Sequence, residues 1–230
     1  MSIVDKEFGE IKIRKNKLAR RVKISVGVDG FLRASIPYYS PEFAVKRLIN
    51  HNRAEIRQMV VQHNSQNIYQ DGDLIGKTHT LFIRHFLGKE TKILVDGNQI
   101  LVQVPECLTF GDSLVQAEIR KVVVKILRKQ AKAYLSRRID FLAEKYDFKF
   151  RKLRFSHTGT RWGSCSSSGT ISLNIALMNL PHRLIDYVII HELCHTRQMN
   201  HSQKFWAEVE KYCPNYKKYV QEMKNFSPSI

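Results

Sequence analysis

The chain has 230 residues, 43% of them hydrophobic, which suits one large domain or two small ones with a sizeable core. Its 38 Lys and Arg against 21 Asp and Glu leave a formal net charge of +17, a balance that favours anionic partners without identifying one. No apolar stretch is long enough to span a bilayer. The start, Met1 to Glu7, lacks the basic region and apolar run of a secretory signal. The four cysteines show no zinc-finger or redox spacing and are expected as reduced thiols. The expected compartment is the bacterial cytoplasm.

Taken in order, the first segments read as strands. Residues 10–14 and 21–26 alternate basic and apolar side chains, the period-two pattern of half-buried strands. Asp29-Gly30 signals a hairpin, with 31–37 as the return strand of an antiparallel sheet whose outward face is strongly basic. Ser40-Pro41 opens a helix, Ser as N-cap, expected to run to about Gln62 with Phe43, Val45, Leu48, Ile49, Ile56 and Met59 inward. The polar stretch 62–67 reads as a connector. Strands follow at 80–84, 92–95 and 99–104, the last two joined by a turn at Asp96-Gly97-Asn98. A boundary is expected between Pro105 and Gly111, dividing a basic β-rich domain, 1–110, from a catalytic domain, 111–230.

From Ser113 to about Tyr146 the pattern is one long helix. Ser113 and Gln116 make a capping box. Ile119, Val123, Ile126, Ile139 and Leu142 form its apolar stripe, and Lys121, Lys125, Arg128, Lys129, Lys132, Arg137 and Arg138 its basic face. That face could track phosphates, but no recognition helix or aromatic platform accompanies it, so dedicated nucleic-acid binding is not favoured. Residues 153–156 and 170–174 read as two strands joined by a Gly/Ser-rich loop carrying Arg161-Trp162-Gly163-Ser164-Cys165. Arg161 could hold a carboxylate or phosphate. Arg161 and Asn174 are the candidate substrate-binding residues. No internal repeat is evident.

The stretch the rest serves is His191-Glu192-Leu193-Cys194-His195, on a helix that begins near Pro181. Two histidines four apart lie on one helix face, one turn apart, and can grip one zinc ion. Glu192 can then act as general base on a water at the metal. His201 follows at the spacing of three-histidine zinc sites, after a helix break in which Ser202 can cap the next helix. Where metzincins place a glycine this chain has Gln198, so the turn must be made differently, with Asn200 in a left-handed conformation as one route. Glu208 and Glu210 are rival third ligands. His201 is preferred. Cys194 reads as a small buried side chain.

Arg161 to Cys165, Tyr187 to His195, Asn200-His201-Ser202 and Phe205-Trp206 together resemble the YgjP-like family of bacterial zinc metallohydrolases, relatives of the WLM and SprT-like metallopeptidase domains. The resemblance implies a zincin fold with His191, His195 and His201 as ligands and Glu192 as base. That family is catalogued as metallopeptidase-like and has been linked to nucleoside triphosphate pyrophosphatase activity on UTP. The expectation is therefore an α+β protein, a zincin-like unit preceded by a strand-rich N-terminal part, acting as a zinc-dependent hydrolase. Peptidase chemistry leads. Nucleotide pyrophosphatase chemistry is second, and a metal-containing binding module for an anionic partner is third. The substrate is expected to be a peptide or nucleotide, anionic itself or presented by an acidic partner, with no membrane involved.

Overall fold

Each of two units opens on a pair of hairpins. The structure, a computed structural model, describes residues 2–27, 32–66 and 68–230, with 61–66 described by backbone alone. The units are Met1–Tyr69 and Gln70–Ile230. The expected division near 110 thus falls inside the second unit. The physical reason is in the hydrogen bonds: Gln130, on the long helix, accepts from the Lys77 N–H at 2.8 Å and donates to the Ile75 carbonyl at 3.2 Å.

In the first unit, β1 (Ser2–Asp5), β2 (Gly9–Asn16), β3 (Lys23–Val26) and β4 (Leu32–Pro37) form a sheet in the order β1-β2-β4-β3. The central pair β2–β4 is parallel, and both outer pairs are antiparallel. The sheet is therefore mixed rather than purely antiparallel. Strands 23–26 and 32–37 pair as expected, while the Asp29-Gly30 turn lies outside the described residues. Period two puts Ile11, Ile13, Ala34 and Ile36 on one face. They bury against Val45, Ile49 and Ile56 of α1 (Phe43–His51) and α2 (Arg53–Gln66). The single helix expected here is broken at Asn52, whose side-chain amide donates to the Leu48 carbonyl at 3.0 Å. Helix then continues to Gln66, into the stretch read as a connector. Phe43 (66% exposed) and Met59 (40%) face outward, contrary to expectation.

The second unit repeats the plan. Strands β5 (Leu74–Ile75), β6 (His79–Phe86), β7 (Lys92–Asp96) and β8 (Gln99–Pro105) take the order β5-β6-β8-β7, again with a parallel centre and antiparallel flanks. The register matches too: Asn16 pairs with Pro37 at the end of one parallel ladder and Phe86 with Pro105 at the end of the other. The two four-stranded sheets thus share a strand order and a ladder pattern.

The helix α3 (Ser113–Lys145) follows, about 50 Å long at 1.5 Å per residue. Its cap is one residue earlier than expected. The Asp112 carboxylate accepts from the Leu114 N–H at 2.9 Å, and the Gln116 amide donates to the Phe110 carbonyl instead of closing a box. The apolar stripe is buried as expected. Next come β9 (Lys152–Ser156), β10 (Gly163–Cys165) and β11 (Thr170–Asn174), ordered β10-β11-β9, so the Gly/Ser loop itself supplies the edge strand. A 3₁₀ turn at 175–179 leads to α4 (His182–Cys194), α5 (Gln203–Tyr212) and α6 (Tyr216–Met223). The architecture is α+β. Among the described residues no helix is long and apolar enough to cross a membrane.

Candidate active site

Helix α4 is held from several sides. Leu184, Ile185, Val188, Ile189, Ile190, Leu193 and Cys194 are buried, and α4 packs on α3, β10, β11, α5 and α6. Its face near the C-terminus presents His191 and His195. The chain then reverses, with the Arg197 and Gln198 N–H groups donating to the Cys194 carbonyl at 3.0 and 2.9 Å. This brings His201 back over the pair. The candidate ligand atoms of His191, His195 and His201 all lie within 4.8 Å of one another, and Nε2 of His191 and of His201 stand 3.2 Å apart.

The reversal does not use a left-handed Asn200. Asp147 (φ 54°) is the non-glycine residue with positive φ among those described. A clamp on Arg197 does the work. Its guanidinium reaches Glu208 at 2.8 Å and the Tyr212 hydroxyl at 3.0 Å, donates to the Asp147 carbonyl, and stacks 4.1 Å over Phe148. Glu208 is thereby engaged as an ion-pair partner, and Glu210 pairs with Lys217 at 3.8 Å. Neither joins the histidine cluster among the described residues. Ser202 occupies the N-cap of α5 without a side-chain capping bond.

Orientation of the rings is fixed by their neighbours. Nδ1 of His195 lies 3.0 Å from the Gln198 carbonyl. A carbonyl only accepts, so Nδ1 carries the proton and Nε2 keeps its lone pair. Phe205 stacks on the His195 ring at 4.4 Å. Glu192 is 5% exposed, and its Oε2 has no hydrogen-bond partner among the described residues. Burial pushes its carboxyl up to about 8, with the Arg161 charge pulling the other way. Burial also drives His191 down to about 3, helped by His195 and His201. Cys194 is buried, and burial raises its thiol to about 12, as befits a packing residue.

These shifts give a stability prediction. Glu192 binds its proton more tightly folded than unfolded, so its contribution is full below the ordinary 4.5 and is lost as pH rises through about 8. In metal-free protein, Glu192→Gln should stabilise the fold by on the order of a few kcal/mol at alkaline pH and by nothing near pH 4. Thermal melts of both proteins with chelator present would show this; a pH-independent difference would mean the carboxylate is solvated.

The edge strand meets Glu192 directly. A Cβ built on Gly163 would stand 2.6 Å from Glu192 Oε1 and 2.7 Å from its Cγ. Only glycine allows β10 to lie this close to the carboxylate. Sequence reasoning gave Gly163 and Arg197 no role. The one signal for Gly163 was its place within the Trp-Gly-Ser run.

The signature of the YgjP-like metallopeptidase domain matches residues 20–226. This chain belongs to the YgjP-like metallopeptidase family. Among solved structures, one described as the metallopeptidase zymogen of Pyrococcus abyssi abylysin is 26% identical, covering 40% of this chain and 93% of that one, with a TM-score of 0.36. Another, described as the metallopeptidase zymogen of Methanocaldococcus jannaschii jannalysin, is 22% identical over 38% of this chain and 95% of that one, with a TM-score of 0.33. No curated protein gives a match.

In this YgjP-like chain the two candidate substrate residues part company. Asn174 is fully buried, and its amide donates to the carbonyls of Thr158 (2.6 Å), Arg161 (3.0 Å) and Pro228 (3.3 Å). It shapes the loop from behind instead of meeting a ligand. Arg161 is exposed on that loop, near enough to influence Glu192 electrostatically. Beside them lies a cavity of about 240 Å³ lined by Trp162, Gly163, Tyr187, Val188, His191, Glu192, Val220 and Met223.

The donor set fits a zinc ion. Two nitrogens on one tetrahedral zinc lie about 3.3 Å apart, close to the 3.2 Å between His191 and His201 Nε2. Three imidazoles and a nearby carboxylate whose Oε2 has no partner among the described residues match a three-ligand site with one open position.

Proposed function

We propose that this YgjP-like protein is a zinc-dependent peptidase in which His191, His195 and His201 hold the metal and Glu192 is the general base. A zinc ion bound there would act as a Lewis acid on a scissile carbonyl and acidify water. Glu192 takes the proton of the attacking water and delivers it to the leaving amine. Gly163 lets β10 run against Glu192, so an extended substrate added to this edge by main-chain hydrogen bonds has its backbone beside the base. Arg161 stands at the exposed side, placed for a substrate carboxylate or carbonyl oxygen.

The observation that carries a peptide over a nucleotide is the wall of the cavity. Trp162, Tyr187, Val188, Val220 and Met223 make it apolar, whereas a triphosphate needs several cations or N–H groups. Among its lining residues none is Lys or Arg. The volume exceeds the roughly 150 Å³ that holds a benzene ring in an apolar cavity. A large apolar side chain next to the cleaved bond is the expected preference. The buried carboxylate of Glu192 also speaks against a purely structural metal, which would have no use for a base.

The test is turnover of a peptide library and a nucleotide panel by zinc-loaded protein. Cleavage beside Phe, Leu or Met, with UTP left intact, is expected. UTP hydrolysis that vanishes in Glu192→Gln, without peptide cleavage by the wild type, would replace the peptidase reading by the pyrophosphatase one.

A further inference from the structure

The second sheet, with the same strand order, supplies an internal control for the basic sheet of the first unit. Its outward rungs are fixed by the register. Lys12, Arg33 and Ser25 stand abreast on one rung, and Arg14, Ser35 and Lys23 on the next. Aligned through Pro37 and Pro105, the corresponding rungs of the second sheet are Phe82, Leu101, Leu94 and Arg84, Gln103, Lys92. The same scaffold with the same register therefore accepts apolar residues where the first sheet has Lys12 and Arg33. The charges are not a demand of the fold.

The charge continues beyond the rungs. From Ile11 to Val28 the sequence has seven Lys or Arg and no Asp or Glu. Glu10, at the far end of β2, is the acid on the outward face among the described residues. Asp5 and Glu7 are engaged by Arg53 and Arg57. Just past the end of β2, Lys17 sits 5.8 Å from the Tyr38 ring centroid. Tyr39 stands edge-on to Tyr38 at 5.3 Å and is 94% exposed. A row of cations leading to a solvent-facing aromatic ring is the arrangement that binds single-stranded nucleic acid: the cations track phosphates and the ring stacks a base. A membrane surface would instead need a continuous apolar face, and here Leu18 and Val4 are isolated among polar neighbours.

We infer that the outward face of the first sheet, Lys12, Arg14 and Lys23 with Tyr39 at its end, is a binding surface for single-stranded nucleic acid. It would hold the protein on RNA or single-stranded DNA, without base-specific readout, because the contacts are to phosphates and to one base face.

The test is fluorescence anisotropy of the full chain with a labelled single-stranded oligonucleotide, as RNA and as DNA, across a salt series. Binding should weaken steeply with salt. The triple variant K12Q/R14Q/K23Q should lose affinity and reduce the log–log salt slope by about 2, at roughly 0.7 per phosphate contact. Y39A should bind about tenfold more weakly while keeping the slope, since it removes stacking and no charge. All four side chains are exposed, so unchanged melting temperatures are expected. Absence of binding at about 50 mM salt overturns the proposal. So does unchanged affinity in the triple variant, or a loss seen only when the α3 stripe is neutralised as K125Q/R128Q/K132Q. Binding to phosphatidylserine vesicles without binding to oligonucleotide would assign the surface to a membrane instead.

Discussion

Replacing Glu192 by glutamine is expected to leave zinc content and fold intact and to lower peptide turnover by a factor of about a hundred to ten thousand. Glutamine is nearly isosteric, so it fits the space that Gly163 leaves beside the side chain. It still offers hydrogen bonds but cannot take a proton from water. The burial that raises the Glu192 carboxyl to about 8 makes it a strong enough base once it is ionised, and the Arg161 charge favours that ionised form. Arg161→Ala should therefore move the acid limb of the activity profile upward. Wild-type turnover in zinc-loaded Glu192→Gln would show that the chemistry runs elsewhere. Unchanged zinc content must be measured beside it, by elemental analysis, so that loss of base and loss of metal are told apart.

The second large effect concerns the three histidines. The double variant His191→Ala with His195→Ala should bind no zinc after dialysis. His201→Ala should lower zinc affinity by more than the ten- to hundredfold typical of changing a residue that merely orients a ligand. Glu208→Ala belongs to that orienting class. It releases Arg197 from one of its partners and loosens the turn that carries His201. Competition titration with a chromophoric chelator reads all three. Should Glu208→Ala abolish binding while His201→Ala leaves it intact, the assignment of the third ligand is wrong.

The histidine pair was legible because its signal is local: two residues four apart on an apolar helix share a face whatever the rest of the chain does. The long helix from Ser113 and the hairpin at Asp96-Gly97 were legible for the same reason. What escaped depends on partners distant in sequence. Asn174 looked available for substrate, but its amide is consumed by carbonyls 16, 13 and 54 residues away. Gly163 carried no pattern of its own, since its requirement arises only when β10 is laid against α4. The parallel centres of both four-stranded sheets escaped because hairpin signals specify neighbours in sequence, while β2–β4 and β6–β8 pair across a hairpin. Capping was misplaced by one residue because Asp112 and Ser113 are both good caps, and only backbone geometry chooses between them.

One wall of the cavity differs from the others in how firmly it is held. The floor belongs to α4, with Tyr187 and Val188 buried in the core. The opposite wall, Val220 and Met223, belongs to α6, a helix of eight residues with none buried. It is tied down by the Arg183–Glu222 ion pair, by Tyr216 stacked on Trp206 at 5.3 Å, and by Tyr219 near Tyr187 at 6.2 Å. Such an element opens locally at far lower free energy than the core. Amide hydrogen exchange should accordingly be fast in α6 and close to the global limit in α4. Under the proposed peptidase function the expected outcome is tolerance: side chains of different bulk are admitted by yielding at α6, while the distances among His191, Glu192 and the edge strand stay fixed.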